Sequence, residues 1–332
     1  MVAVTYKNKT FQTNGETTLL DTILASGTLM RSSCKDGFCQ QCMAKAVKGT
    51  PPPESQESLK PHYVEQNCFL PCRCFPTEDL EIEDATRDNV KPADLGISDF
   101  AEYQAMMLSR DWLNDEVIRF CLMRPEPLRY KAGQFINLHH PDLGIRRSYS
   151  LASTPTENFI ELQIKRISEG VMSNWICDDA QLGTDITISG PFGDFYYQPG
   201  NPGQPLILVG ISTGLAPLYG IIRDALESDH QGQITLFHAN LTKEGIYYQE
   251  EIDAIIDEAP NVRYIPCILK GEPPQGVIQG SIDKLVQEIM GDCTNHAAYL
   301  CGDGAVIQTI KTSLIEAGIN ENDIYSDAFT PA

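Results

Sequence analysis

The 332-residue sequence has no run approaching the ~20 apolar residues that span a bilayer. Its most apolar stretch, Pro205–Gly210, has only the length of a buried strand. Met1–Tyr6 already alternates as a strand does, so no cleaved leader is expected, and the chain reads as cytoplasmic. Basic side chains are scarce, with 25 Lys and Arg against 45 Asp and Glu, for a net charge of −20. Such a surface excludes nucleic acid and anionic membrane as partners and keeps a protein soluble as a monomer or weak oligomer. Neither an internal repeat nor a low-complexity tract is present, which excludes a solenoid or a disordered scaffold.

What is present is unevenly spread. Residues 1–92 carry 10 basic and 12 acidic side chains, residues 93–200 carry 9 and 15, and residues 201–332 carry 6 and 18. Six of the 11 cysteines fall between positions 34 and 74. A disulfide framework belongs to small secreted domains, so this cluster points to metal. The other five cysteines are scattered, as small buried hydrophobes are.

Three segments follow from pattern. Residues 1–92 begin with a hairpin (2–6, 10–13), then an amphipathic helix from Thr17 to Ala25, the cysteine-rich loop, and a closing strand at 79–83. Residues 88–99 read as a linker. From 100 to 200, short strands at 117–122, 134–138, 159–164 and 185–188 predict an antiparallel barrel or sandwich. After a second boundary at 201–205, residues 203–332 alternate strands and helices, which predicts a parallel α/β sheet.

Cys34-x4-Cys39-x2-Cys42, with Cys72 after 29 further residues, has the spacing by which four thiolates hold a [2Fe–2S] cluster. Gly37 allows backbone N–H groups to approach the cluster sulfurs. Two alternatives stay open: Cys74, two residues on and with Cys68 also nearby, in place of Cys72, and a four-cysteine zinc site, although the latter favours paired C-x2-C knuckles. The loop, with Leu70-Pro-Cys72 and Thr77-Glu-Asp-Leu80 behind it, resembles plant-type ferredoxins. That resemblance implies a β-grasp fold.

Further along stand Lys131-Ala-Gly-Gln-Phe135, Arg147-Ser148-Tyr149-Ser150, Gly170-Val171-Met172-Ser173 and Gly190–Phe195. In this order they resemble the flavin domain of the ferredoxin–NAD(P)H reductase superfamily, which implies an antiparallel β-barrel binding FAD, with FMN the alternative. Arg147 can pair with the pyrophosphate and Tyr149 can lie on the ring face. Ser150 can hydrogen-bond where hydride arrives, and the helix opening at Gly170 can receive phosphate.

Gly210-Ile-Ser-Thr213-Gly214-Leu-Ala-Pro217 joins a strand to a helix, the usual phosphate cradle of a dinucleotide domain. It is similar to that superfamily's G-G-G-T-G-x-A-P, with Ile211 and Ser212 replacing two glycines. Cys301-Gly302 resembles the family's Cys-Gly loop beside the nicotinamide. Asp327-Ala-Phe329 resembles its terminal acid and flavin-covering aromatic. The resemblance thus implies catalytic roles for Ser150, Cys301, Asp327 and Phe329. Residues 239–245 hold one lysine and no arginine, which favours NADH over NADPH.

The whole chain resembles the reductase components of bacterial multicomponent oxygenases, of the benzoate dioxygenase and methane or phenol monooxygenase type. This implies electron flow from NADH through FAD and [2Fe–2S] to a terminal oxygenase or a separate ferredoxin. Rival readings are the reductase of a deoxysugar dehydratase, a quinone reductase subunit needing an N-terminal anchor, and a redox sensor without turnover.

Overall fold

A computed structural model describes every residue except 29, 33–34, 36, 38–39, 86–95, 99–100, 199–200 and 330–332. The chain forms two compact units, Met1–Phe100 with Phe192–Asp194, and Ala101–Pro191 with Phe195–Ala332. Most of the expected linker, and Cys34 and Cys39, lie outside the described residues. Among the described residues no helix is long and apolar enough to cross a membrane.

In the first unit, β1 (Val2–Tyr6) and β2 (Lys9–Thr13) form the expected hairpin. Lys7 and Asn8, at φ 49° and 61°, make the left-handed two-residue turn that suits the twist of the strands. The helix α1 (Leu19–Ala25) starts two residues later than its pattern suggests, because the Thr18 hydroxyl caps it by accepting from the Asp21 N–H. After it come β3 (Ala44–Lys48), α2 (Pro61–Glu65), β4 (Cys68–Phe69) and β5 (Leu80–Asp84). The sheet order is β2-β1-β5-β3-β4, with β1 and β5 parallel at its centre, and Leu19, Leu20 and Ile23 of α1 fill the core.

The second unit opens with β6 (Ala101–Trp112), β7 (Val117–Met123), β8 (Phe135–His139), β9 (Arg146–Ser150), β10 (Phe159–Lys165), the one-turn helix α3 (Val171–Asn174) and β11 (Asp185–Phe192). Their order is β10-β7-β6-β11-β8-β9. A bridge between Leu151 and Leu162 closes β9 onto β10, so the sheet is a barrel rather than an open sandwich. The pattern missed β6, a long strand whose alternation is broken by a register shift between Met107 and Ser109.

Then follow β12 (Leu206–Ile211), α4 (Leu215–Glu227), β13 (Ile234–Asn240), α5 (Gln249–Glu258), β14 (Val262–Ile268), β15 (Ile278–Gln279), α6 (Ile282–Met290), β16 (Ala297–Asp303), α7 (Gly304–Glu316) and β17 (Ile324–Phe329). The sheet is parallel, ordered β15-β14-β13-β12-β16-β17, with a separate apolar core on each face. One core joins Leu206 and Leu208 to α4 and also takes in Val117 of the barrel.

The helix α4 turns one face to the barrel. At Gly220 an added Cβ would lie 3.0 Å from the Ala152 carbonyl oxygen and 3.1 Å from that of Leu151. One turn on, Arg223 pairs with Glu157 at 2.6 Å, and the next turn brings Glu227 to the Thr154 hydroxyl at 3.1 Å. The spacing of Gly220, Arg223 and Glu227 is that of one helix face. Gly220→Val should therefore overpack this seam and destabilise the second unit by about 1–3 kcal/mol. A lower thermal midpoint would register it; an unchanged midpoint would show that the seam yields freely.

Candidate functional site

In the first unit the cysteine loop lies against the turn that carries Cys72. The Ser58 hydroxyl donates to the Gly37 carbonyl at 3.1 Å, and the Gln40 amide donates to the Ser58 carbonyl at 2.6 Å. Gly37, at φ 88°, sits where a Cβ would come within 3.0 Å of the Arg73 side chain. The loop glycine and the residue after Cys72 are thus neighbours. Cys42 and Cys72 are both buried.

Cys74 lies deeper, fully excluded from solvent. Burial, with a smaller contribution from Glu54, pushes its thiol up to about 12, although Ser55 hydrogen-bonds it. A metal ligand must shed its proton, and burial works against that at Cys74. Cys68 is also raised by burial.

In the second unit, β9 presents Arg147 and Ser148 to solvent, with Tyr149 half-buried and Ser150 buried. Burial raises the Tyr149 phenol, so it stays protonated. The Ser148 hydroxyl donates to Asn137 at 2.7 Å. Gly170 caps α3 in an extended conformation, and the first intrahelical bond runs from the Asn174 N–H to the Gly170 carbonyl. The N–H groups of Val171, Met172 and Ser173 therefore precede the helix's own hydrogen bonding, the donors an anion requires. The Ser173 hydroxyl is engaged elsewhere, since it accepts from the Ile167 N–H at 3.1 Å and reaches the Gly170 carbonyl at 3.3 Å. Ser173 closes its own loop, which leaves its backbone rather than its side chain for a ligand.

The turn after β12 shows how the two replaced glycines are accommodated. Ser212 stands at φ 54°, a left-handed conformation that costs a side-chain-bearing residue about 1–2 kcal/mol. Ile211 keeps extended backbone, and its side chain fills the space opposite Gly302. A Cβ on Gly302 would come within 2.6 Å of that of Ile211. At Gly214 a Cβ would fall 2.2 Å from the Cys301 carbonyl oxygen. Gly210 and Cys301 are paired residues of β12 and β16, and Cys301 is paired with Asp327 of β17.

These pairings bring the expected site residues together. The Ser150 hydroxyl, at the end of β9, lies 3.5 Å from the Asp327 carboxylate, a long hydrogen bond across the two sheets. Cys301 is fully buried, and burial reinforced by Asp327 raises its thiol far above the ordinary range. It is a neutral thiol, not a nucleophile. Phe329 ends β17, half-buried against the core that contains Cys301. Pro217 and Gly214 lie in the first turn of α4 and the turn before it, and Thr213 is the middle residue of that turn.

Sequence reasoning missed the polar groups around this turn. His238 of β13 has no solvent exposure; its Nε2 lies 3.2 Å from the Ser212 carbonyl and its Nδ1 lies 3.1 Å from the Tyr264 hydroxyl. Glu161 and Gln163 of β10 are buried and meet Tyr248 and Tyr247 just before α5. The available signal was an ionisable residue in a strand with both faces buried, where it needs a partner.

His238 also makes stability depend on pH. Burial lowers its pKa from 6.5 to about 4. As pH falls through 6.5 the unfolded chain takes up the proton first, so stability is lost from there down to about pH 4. The loss between pH 7 and pH 5 should be about 2 kcal/mol from this ring alone. His139 and His230, also lowered by burial, act in the same direction. Urea unfolding at the two pH values tests this, and equal stability at both would contradict it.

The comparisons with known proteins follow the same division. Residues 2–77 match the 2Fe-2S iron-sulfur cluster binding domain, residues 105–197 the oxidoreductase FAD-binding domain, and residues 208–312 the oxidoreductase NAD-binding domain. The ferredoxin–NAD(P)+ reductase component of a naphthalene 1,2-dioxygenase/salicylate 5-hydroxylase system from Ralstonia is 28% identical, over 96% of each chain. A CDP-6-deoxy-L-threo-D-glycero-4-hexulose-3-dehydrase reductase from Yersinia pestis is 27% identical, over 97% of this chain and 96% of that one. The crystal structure of an Amycolatopsis cytochrome P450 reductase superposes with a TM-score of 0.76 at 27% identity, over 100% of this chain and 99% of that one. The chain is therefore an oxidoreductase built from a 2Fe-2S iron-sulfur cluster binding domain, an FAD-binding domain and an NAD-binding domain, in that order.

Proposed function

We propose that this reductase takes hydride from NADH at the junction of Ser150, Cys301 and Asp327 and supplies single electrons to an oxygenase component. The observation that carries this reading is the convergence of Ser150, at the end of a barrel strand, with Asp327 and Cys301 beside the phosphate turn. FAD, when bound, accepts two electrons together and releases them one at a time, which links a hydride donor to a one-electron cluster.

The chain's own groups divide the work. Arg147 and the N-terminal N–H groups of α3 hold the flavin pyrophosphate. Tyr149 offers a protonated aromatic face to the ring. Ser150, whose hydroxyl donates to Asp327, would offer its oxygen as an acceptor at the position that hydride reaches. Cys301 packs beside the nicotinamide as a neutral, polarisable neighbour, and Phe329 covers the flavin. Gly210, Gly214 and Gly302 let the turn after β12 pack closely on itself and on β16, and with Thr213 they form the cradle that would take the dinucleotide. Cys34, Cys39, Cys42 and Cys72 hold the cluster. The domains are taken as 1–92, 100–200 and 203–332. The protein is read as cytoplasmic, and its −20 charge favours a monomer or weak oligomer.

NADH is preferred on the charge of residues 239–245. The fold adds one cation there: the Lys270 N–H bonds the Leu241 carbonyl at 2.8 Å, so Lys270 joins Lys243 at this end of the sheet. Residues 239–245 bring no arginine to them, and a 2′-phosphate is best met by one. A second acceptor reading, a sugar dehydratase, is favoured by the Yersinia relative, which is about as similar as the oxygenase reductase.

Two measurements test the reading. NADH-driven reduction of cytochrome c should be lost in Cys72→Ser while ferricyanide reduction persists, and Cys74→Ser should retain both with the cluster's visible spectrum intact. Cluster loss in Cys74→Ser, but not in Cys72→Ser, would overturn the ligand assignment. The ratio of kcat/KM for NADH over NADPH should exceed about ten, since the two nucleotides differ by a phosphate that finds no bidentate partner; a ratio below one would refute the choice.

A further inference from the structure

His238 has no access to solvent and is neutral at neutral pH, because burial lowers its pKa. The Ser212 carbonyl, 3.2 Å from Nε2, can only accept, so Nε2 carries the hydrogen. Nδ1 then accepts from the Tyr264 hydroxyl at 3.1 Å. The Asn240 amide nitrogen also lies 3.1 Å from Nε2, and as a donor it makes no hydrogen bond to the protonated Nε2. The imidazole thus grips the backbone of Ser212, the left-handed residue of the phosphate turn, from the neighbouring strand.

The other side of the ring leads to the barrel. Tyr247 meets it edge-on, with centroids 5.2 Å apart and planes at 84°. The Tyr247 hydroxyl donates to Gln163 at 2.8 Å, and the Tyr248 hydroxyl donates to Glu161 at 2.7 Å. Glu161 also accepts from Arg119 at 3.0 Å. Ile160, Leu162 and Ile164 of β10 fill the barrel core, so Glu161 and Gln163 project from its opposite face. Leu162, between them, bridges to Leu151, the residue after Ser150.

We propose that His238 is a positioning residue for the nicotinamide dinucleotide: it holds the Ser212 carbonyl in the left-handed turn and, through Tyr247 and Gln163, sets that turn in register with the flavin barrel. The inference deepens the functional reading and rests on Ile211–Gly214 being the phosphate cradle. Two independent features converge on it. A non-glycine residue is kept in a conformation that favours glycine, and the imidazole bonded to its carbonyl is also packed against a buried link to the barrel. Such a contact should act on dinucleotide binding, and its link to the barrel should act on the rate of transfer.

The test uses full-length, cofactor-loaded protein with ferricyanide as acceptor. His238→Phe keeps the ring's bulk and removes its hydrogen bonds. It should raise the KM for NADH about tenfold while kcat stays within about twofold, as expected when an interaction supporting binding is lost. His238→Gln, whose amide can still donate to Ser212, should recover most of the wild-type KM. Tyr247→Phe leaves the turn intact but cuts the link to Gln163, so it should lower kcat and leave KM near wild type. Thermal midpoint and flavin absorbance are followed in each variant.

Unchanged KM in His238→Phe overturns the positioning role. So does a parallel fall of kcat, flavin content and thermal midpoint in both His238 variants, because a merely structural residue would not be rescued by glutamine. Unchanged kcat in Tyr247→Phe overturns the link to the barrel. A wild-type protein whose flavin NADH does not bleach would instead overturn the reading of the turn itself.

Discussion

The carbonyl oxygen of Cys301 stands 2.2 Å from where a Cβ on Gly214 would be. That contact fixes how near β16 comes to the turn after β12, and the rest of the second unit is arranged around it. It places the buried thiol beside the turn after β12, with Asp327 next to it in β17. It also explains why Gly302 remains a glycine: Ile211 occupies the volume into which a side chain would project. Two glycines absent from the turn itself are offset by a glycine kept across from it and by a hydrogen bond from β13.

The seam between barrel and parallel sheet is unusual in what it buries. Close backbone approach at Gly220 is expected where a helix lies on a strand edge, but Glu161, Gln163, Tyr247 and Tyr248 put a hydrogen-bonded polar cluster in the same seam. Replacing such groups by apolar ones is often neutral or stabilising, so stability alone is a poor reason for them. What they supply is register. A greasy seam can slide, whereas Tyr248 reaches one carboxylate and Tyr247 one amide, two residues apart on the same strand. Hydride transfer tolerates little error in distance, which gives that register a chemical use.

Much of this architecture was legible in the residues. The Lys7-Asn8 turn, the apolar stripe of α1 and the strand–helix alternation after residue 203 are local signals, each carried by a few side chains. Two of the elements that the pattern missed, β6 and β17, are held by pairing more than by pattern: β6 carries a bulge, and β17 is an edge strand aligned by β16. Ser150, Cys301 and Asp327 were legible as motifs, but their nearness depends on the crossover of three strands and on Ser150 sitting at a barrel edge. His238 and Glu161 were not legible, because a polar residue inside an apolar strand reveals its partner only once the neighbouring strands are placed. Spacing favours Cys72 over Cys74, and both are buried, with burial raising the Cys74 thiol to about 12.

Electrons should move in one order along the chain, from nicotinamide to flavin domain to cluster domain. Rapid mixing of the oxidised, anaerobic protein with NADH tests that order most directly, with flavin absorbance and cluster absorbance followed separately. Flavin absorbance should fall first, and cluster absorbance should follow without further addition of NADH. Loss of cluster absorbance ahead of the flavin, or a cluster that stays oxidised while the flavin is fully bleached, would contradict it.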